Sequence, residues 1–275
     1  MNKDLISIII PVYNTGLSAK KLVSRLLDDV YKSIEIIVVD DGSKDDSLDI
    51  LNTIKDERLQ IFEKKNGGAA SARNYGIKKA KGKYIIFLDS DDFVSKKYLT
   101  ELYKGINENP ENKLAVTSVK YCRVKTNESK DVYLRNVKRG KKESLTTYIL
   151  RMLVSDGRIY SSTNKVYEAE IIKKNNLHFD EGRDFAEDTH FVLKYLKAAG
   201  DCRVKLVLKP LYFYYFGTET STVKSSSTKW ENWEESYKDV LEWVGNEQTI
   251  RNKILLKLLR LRWRISHYRS VKRAR

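Results

Sequence analysis

Short apolar runs, rich in β-branched residues, recur through the first hundred residues of the chain. They lie at 5–12, 34–39, 59–62 and 83–88, and a strand buried on both faces of a sheet has this continuous apolar pattern. Between the runs, apolar residues return at helical spacing, most clearly over 18–31 and again before residue 54. This alternation of strand and helix predicts an α/β fold with a mostly parallel, doubly wound sheet.

The pattern becomes less regular after residue 95. The expected elements are helices 96–107, 144–154, 168–175 and 189–199, strands 114–124, 161–167, 204–208 and 211–216, an acidic irregular segment at 181–188, and a mobile loop or exposed hairpin at 127–142. After residue 229 only helical spacing remains. We therefore expect one domain over 1–225, made of halves 1–110 and 111–225, and a helical tail at 226–275.

The composition narrows the range of partners. The chain has 275 residues and a formal net charge of +15, which favours anionic partners such as nucleotide phosphates, an anionic membrane or an acidic polymer. No signal peptide and no apolar run long enough to span a bilayer is visible, so we expect a cytoplasmic protein. Two cysteines outside any Cys-x-x-Cys pair and three scattered histidines predict neither a zinc site nor a structural disulfide.

Three carboxylates in four positions follow the apolar run at 83–88. Asp89, Asp91 and Asp92 would lie at the carboxyl end of a buried strand, where open α/β sheets bind ligands. They repel one another unless a cation lies among them, and their hard oxygens suit Mg²⁺ or Mn²⁺ shared with a phosphate. The alternative is a solvated Asp-rich turn.

The loops after the three earlier strands have the residues that a nucleotide diphosphate needs. Tyr13 offers a ring to stack on a base, and Asp41 can accept a hydrogen bond from a base N–H. Gly67 and Gly68 let the backbone approach a phosphate at a helix N-terminus, and Arg73 adds a fixed charge. Neither G-x-G-x-x-G nor the P-loop pattern occurs. Each loop alone is also compatible with an ordinary turn.

Together these motifs resemble those of the family 2 glycosyltransferases of GT-A fold. The resemblance rests on Pro11-Val-Tyr-Asn14, Val38-Val-Asp-Asp-Gly-Ser43, Gly68 with Ala72-Arg-Asn74, and Phe87-Leu-Asp-Ser-Asp-Asp92. It is close over residues 5–100. It continues more weakly to about 220 through Asn164-Lys-Val-Tyr167 and Ala186-Glu-Asp188, and it does not cover the tail.

The resemblance implies a role for each matching residue. The residues expected to bind the nucleotide are Pro11, Val12, Tyr13, Asn14, Asp41, Gly68, Arg73, Asp89 and Ser90. Asp91 would coordinate a divalent metal, Mn²⁺ or Mg²⁺, and Asp188 would be the catalytic base. Lys165, Glu187 and Asp92 are further candidates for contacts with the acceptor or a phosphate. From the residues alone, Glu187-Asp188 is also explained as the acidic first turn of a helix.

The segment at 215–221 departs from the family pattern. Many relatives carry an Arg and often a His between the late tyrosines and a serine, whereas this chain has Phe216 and Thr218. The family's third contact to the metal is therefore not matched in this chain, and we consider Ser221, Thr222 and Lys224 as a mobile lid that serves the diphosphate instead. The aromatic cluster at 212–216 is expected in the core rather than as a platform for a sugar.

The tail helix over 250–268 has two apolar faces. One stripe contains Ile250, Ile254, Leu258, Leu261 and Ile265, the other contains Leu255, Leu256, Leu259 and Trp263, and basic residues run along both edges. One face can pack on the domain. We expect the other to lie on an anionic membrane surface at the inner face of the membrane or in a homo-oligomer contact, unless the tail folds wholly into its own domain.

The sequence thus predicts an inverting, metal-dependent glycosyltransferase, with its nucleotide site in 1–110 and its acceptor site in 111–225. We expect a UDP-sugar donor, the family's usual one, and a glycan, lipid-linked or surface-polymer acceptor. Two alternatives are a sugar-phosphate nucleotidyltransferase and a non-catalytic basic binding protein. The expected glycine-rich loop of the first is missing, and no aromatic–basic motif indicates nucleic acid as a partner.

Overall fold

The fold is described by a computed structural model over residues 4–123, 128–134, 139–155, 160–183, 185–216, 229–247 and 249–274. The strands are β1 (Ile6–Val12), β2 (Ile34–Asp40), β3 (Leu59–Glu63), β4 (Tyr84–Phe87), β5 (Phe93–Val94), β6 (Asn112–Arg123), β7 (Glu128–Val132), β8 (Lys165–Glu168) and β9 (Arg203–Phe216). The helices are α1 (Gly16–Leu27), α2 (Ser47–Asn52), α3 (Gly68–Lys79), α4 (Tyr98–Asn107), α5 (Leu145–Ser155), α6 (Ala169–Lys174), α7 (Glu187–Ala199), α8 (Trp230–Val244) and α9 (Ile250–Ala274).

The described strands form one sheet in the order β3-β2-β1-β4-β8-β6-β9-β5, with β7 paired to β6. In the first half, β3, β2, β1 and β4 are parallel neighbours. Every residue of β1 and β2 is buried. Successive residues of β1 face opposite sides, since Ile8 and Ile10 pack in one hydrophobic cluster and Ile9 in the other. The predicted α/β fold is confirmed.

The second half is mixed rather than parallel. β8 runs antiparallel to β4 and β6, whereas β9 runs parallel to β6. The two strands predicted at 204–208 and 211–216 are one continuous strand, β9. Its pairing with β6 shifts register near Ser118, which lies opposite Pro210, because proline has no N–H to donate to the ladder. Of the two alternatives for 127–142, the described part shows the hairpin, because β7 pairs antiparallel with β6.

The tail packs on the domain. Leu256, Leu259 and Trp263 of α9 and Val240 of α8 are buried in the same hydrophobic cluster as α5 and α7. The other predicted stripe of α9 is exposed. No described helix combines the length and hydropathy needed to cross a membrane. The predicted boundary at 225 lies outside the described residues.

Candidate active site

The carboxyl ends of β1 to β4 open onto one cavity of about 730 Å³, a volume typical of ligand pockets. Most of the predicted site residues line it: Pro11, Val12, Tyr13, Asp41, Gly68, Arg73, Asp89, Ser90, Asp91, Glu187 and Asp188. Tyr13 is 43% exposed, so its ring is available for stacking. Asn14, Asp92 and Lys165 do not line this cavity.

Asp41 joins the loop after β2 to the start of α3. Its buried carboxylate accepts hydrogen bonds from the Lys64 ammonium (2.6 Å) and from the backbone N–H groups of Gly67 (3.0 Å) and Gly68 (2.6 Å). Gly68 has a φ of +85°, which favours glycine. These two N–H groups, which we expected to face a phosphate, therefore donate their hydrogen bonds to Asp41 instead.

Arg73 lies at the centre of the acidic residues. It is 4% exposed, and its guanidinium nitrogens lie 2.7 Å from Asp89, 3.4 Å from Glu187 and 3.5 Å from Asp188. Burial lowers the pKa of Arg73, but the three carboxylates, Asp188 foremost, outweigh it and raise the pKa overall. The guanidinium thus joins the donor edge, meaning the loops after β1 to β4, to the first turn of α7.

The acidic cluster after β4 divides into two parts. Asp89 and Asp91 line the cavity, and burial, followed by the charge of Asp89, raises the pKa of Asp91. Two close carboxylates with this cost of ionisation fit a hard divalent cation. Among the described residues, no group of three or more His, Cys, Asp or Glu side chains could hold a metal. Mg²⁺ usually combines one or two carboxylates with waters and substrate phosphates.

Asp92 instead anchors the end of β9. Its buried carboxylate accepts hydrogen bonds from the Tyr212 hydroxyl and from the Tyr215 backbone N–H, the latter at 3.0 Å. Burial raises the pKa of Asp92 well above its usual range, and the charge of Asp89 adds to this. Of the aromatic cluster, Tyr212 is buried as expected, yet Tyr212, Tyr214 and Tyr215 also line the cavity.

Asp188 lies in the first turn of α7. The Ser162 hydroxyl donates to its Oδ1 at 2.6 Å, and the nearest Arg73 nitrogen faces the same oxygen. No described residue donates to Oδ2. Ala186, the residue immediately before α7, has φ 60° and ψ 24°, a left-handed conformation uncommon for a residue other than glycine.

Lys165 has a structural position rather than a place in the cavity. It is fully buried, and its ammonium donates to the Ser161 carbonyl (2.5 Å) and to Asn164 Oδ1 (2.8 Å). These bonds hold the turn that precedes β8 and carries Ser162. The role of Ser162 was not predicted from the sequence, since a serine within a polar run has no distinguishing pattern.

Residues 179–183 and 185–188, which we name the base segment after the role expected of Asp188, are held from two sides. On one side, Asn74 of α3 exchanges hydrogen bonds with the Phe179 backbone at 2.7 and 2.9 Å. On the other, Arg183 contacts both oxygens of Asp239 of α8 at 2.5 and 2.9 Å, and Phe185 packs against Trp233. The tail therefore supports the segment that leads to Asp188.

Part of the predicted site falls outside the described residues. The residues concerned are Thr218, which stands where the family resemblance led us to look for a metal or diphosphate contact, and the three residues expected in a lid, Ser221, Thr222 and Lys224.

Comparison with known proteins identifies a family. The profile of glycosyl transferase family 2 matches residues 7–175. The chain is 32% identical to glycosyltransferase GlyG of Streptococcus pneumoniae over 217 residues. The aligned region covers 77% of this chain and 70% of GlyG. It is 52% identical over 92 residues to the UDP-Glc:alpha-D-GlcNAc-diphosphoundecaprenol beta-1,3-glucosyltransferase WfaP of Escherichia coli, covering 33% of this chain and 36% of WfaP.

Two solved structures share the fold. TarS 1-349 of S. aureus in complex with UDP-GlcNAc has a TM-score of 0.71 at 24% identity, covering 95% of this chain and 72% of that one. The mannosyltransferase PcManGT of Pyrobaculum calidifontis, in complex with GDP-Man and Mn²⁺, has a TM-score of 0.67 at 15% identity, covering 100% of this chain and 74% of that one. These similarities agree with the expected GT-A architecture.

Proposed function

This chain belongs to glycosyl transferase family 2, and on that premise we propose that it transfers a sugar from a UDP-sugar to a hydroxyl group of a lipid-linked glycan, with inversion at the anomeric carbon. One observation carries the proposal. The buried guanidinium of Arg73 contacts both Asp89 of the donor edge and Asp188 of α7 across one cavity. Family membership makes the chain a glycosyltransferase, so the two alternative functions are not supported.

The donor binds along the four loops of the donor edge. Tyr13 stacks on the base, and Pro11, Val12 and Asp41 shape its pocket. WfaP is named for UDP-Glc and TarS was solved with UDP-GlcNAc, which supports a uridine donor here. Arg73 orients Asp89 and Asp188 relative to each other, because its close polar contacts among the described residues are all carboxylates.

Asp91, with Asp89, would hold a divalent cation beside the donor diphosphate. A bound Mn²⁺ or Mg²⁺ would supply charge neutralisation for the departing UDP. The Mn²⁺ in the PcManGT complex supports this assignment.

Asp188 accepts the proton in the transfer step. The acceptor oxygen forms a bond to the anomeric carbon as the bond from that carbon to the diphosphate oxygen breaks, and UDP leaves. Because Ser162 and Arg73 both face Oδ1, Oδ2 takes the hydroxyl proton as general base. A single displacement assisted by one carboxylate gives inversion.

A lipid-linked acceptor is supported by WfaP, whose name specifies a diphosphoundecaprenol acceptor. Such an acceptor is held in a membrane, so we place the enzyme at the cytoplasmic face, where it can meet both substrates. The aromatic residues Tyr212, Tyr214 and Tyr215 lie on the wall of the cavity that an acceptor would approach.

Thermal-shift titration with UDP tests the donor and metal assignments. We expect UDP to raise the melting temperature when Mn²⁺ is present, and GDP to raise it less. A screen of UDP-sugars for slow donor hydrolysis then identifies the sugar. A protein that responds to GDP but not to UDP, or to UDP equally with and without metal, would contradict the proposal.

A further inference from the structure

Helix α9 exposes a continuous apolar stripe on the side that faces away from the domain. The exposed fraction of its members is 81% for Ile250, 54% for Ile254, 45% for Leu258, 55% for Leu261 and 46% for Ile265. With about 100° between successive residues, these side chains occupy one narrow sector of the helix. A contiguous apolar surface of this kind marks an interaction site.

Cations run along both borders of the stripe. Lys253, Lys257 and Arg264 lie along one border and are exposed, and no described carboxylate pairs with them. Along the other border, Arg269 is exposed and Arg251 contacts Glu143 at 3.2 Å. No acidic residue follows Glu247 in the chain. The stripe is therefore an apolar band between two positive edges.

This charge pattern decides between a second copy of the chain and a lipid surface. If two copies met through the stripe, the cationic borders of one helix would approach those of the other, with no acidic residue of α9 to compensate them. An anionic bilayer satisfies both parts of the pattern. The apolar band enters the acyl–headgroup boundary while the long basic side chains reach the phosphates.

We propose that the outer face of α9 docks on an anionic membrane surface, with the helix lying in the plane of the interface. The stripe from Ile250 to Ile265 is the buried part, and Lys253, Lys257 and Arg264 are the main contacts to lipid phosphates. The inner face keeps Leu256, Leu259 and Trp263 against the domain, so docking needs no rearrangement of the core. This inference does not depend on the identity of the donor or acceptor.

Vesicle flotation with the full chain tests the proposal. One set of vesicles contains phosphatidylcholine alone, and the other contains phosphatidylcholine and phosphatidylglycerol in equal parts. We expect the protein to float with the anionic vesicles only, and to be released by high salt. Replacing Lys253, Lys257 and Arg264 by Gln should lower the partition coefficient on the order of a hundredfold. Each cation near an anionic surface raises the partition coefficient several-fold, and the three factors multiply.

Two further variants separate the contributions. The variant I254Q/L258Q/I265Q should bind anionic vesicles at least about tenfold less well, because exposed apolar area no longer enters the bilayer. The variant K55Q/K81Q/K174Q, which removes three exposed lysines outside α9, should float like the wild type. Unchanged unfolding midpoints show that the variants are folded, as expected for substitutions at exposed positions.

Three results would overturn the proposal. One is a wild-type protein that stays at the bottom of the gradient with anionic vesicles. Another is flotation of the apolar variant equal to that of the wild type. The third is a lipid-free dimer, seen by sedimentation, that the apolar variant abolishes, because a second copy would then occupy the stripe.

Discussion

The donor edge and the base segment form two walls of the same cavity but are built differently. Each loop of the donor edge follows its own strand within the first hundred residues, and parallel pairing of β1 to β4 brings the loops together. The base segment is fixed by contacts from α3, from the turn before β8 and from α8. The first wall is local in sequence, whereas the second depends on packing between distant elements.

This contrast has a functional consequence. A substitution in the donor edge should act mainly on binding of the nucleotide and metal. A substitution around the base segment should act on the transfer step while leaving donor binding intact, because the residues assigned to the nucleotide lie on the donor edge. Arg73 is the contact that joins the two walls. The following variants test that separation.

Asp188→Asn should have the largest effect. Transfer should fall by about 10² to 10⁴-fold because the proton acceptor is lost, while UDP affinity stays near that of the wild type. Steady-state rates and UDP titration measure the two quantities. The control is Asp49→Asn, an exposed carboxylate on α2, which should change neither. A normal transfer rate in Asp188→Asn would remove the base assignment.

Asp91→Asn should give the opposite pattern. Affinity for UDP in the presence of Mn²⁺ should fall by roughly a hundredfold or more, because the loss of an outer-shell partner already costs about 10- to 100-fold and Asp91 is assigned as a direct ligand. UDP affinity without metal should be unchanged, which provides an internal control in isothermal titration. If the two affinities fell equally, Asp91 would be acting on the nucleotide rather than on a cation.

Ser162→Ala tests the orientation of Asp188. We expect the kcat to fall about tenfold or more, since a hydrogen bond to a charged group is lost, with little change in the donor KM. Ser236→Ala is the matched control: this serine is also buried, and its hydroxyl bonds within α8. A raised donor KM with unchanged kcat would mean that Ser162 supports the pocket and not the base.

Asp239→Asn tests support from the tail. Transfer should fall by about fivefold as the base segment loosens, since small misplacements are costly in a positioned site. The free energy of unfolding should drop by about 1–3 kcal/mol because Arg183 loses a charged partner. Glu234 lies on the same helix as Asp239 and forms a more exposed pair with Arg260 of α9; Glu234→Gln should leave transfer unchanged. Equal losses in both variants would indicate general destabilisation instead.

Glu143 gives the smallest effect and a pH dependence. Burial alone would raise the pKa of Glu143, but hydrogen bonds from Arg151 and the Gly140 N–H, with the charges of Arg151 and Arg251, lower it overall. A carboxylate with a lowered folded-state pKa stabilises the fold above its unfolded pKa, and this contribution is lost as the pH falls through the folded value.

Glu143→Gln should therefore reduce the free energy of unfolding by about 1–2 kcal/mol at pH 7. Urea denaturation should show the difference between variant and wild type shrinking below pH ~4.3, the ordinary value for glutamate. Glu242→Gln, an exposed position on α8, should show neither effect. A difference that persists at acid pH would mean that the charge of Glu143 is not what stabilises the fold.

The donor edge and the architecture that holds it follow from the amino-acid sequence alone. Buried parallel strands have continuous apolar runs, and their carboxyl ends must share one edge, so the strand pattern is enough to place Asp41, Asp89 and Asp91 together. The two apolar faces of α9 are likewise visible in the sequence, because helical spacing separates them.

How the acidic residues are used depends on tertiary packing. Sequence spacing places Asp92 beside Asp91, yet Asp92 is buried under Tyr212 whereas Asp91 lines the cavity. Ser162 reaches Asp188, and Asp239 reaches Arg183, across 26 and 56 positions of the chain. Such contacts depend on how helices and turns pack in three dimensions, and no local periodicity records them.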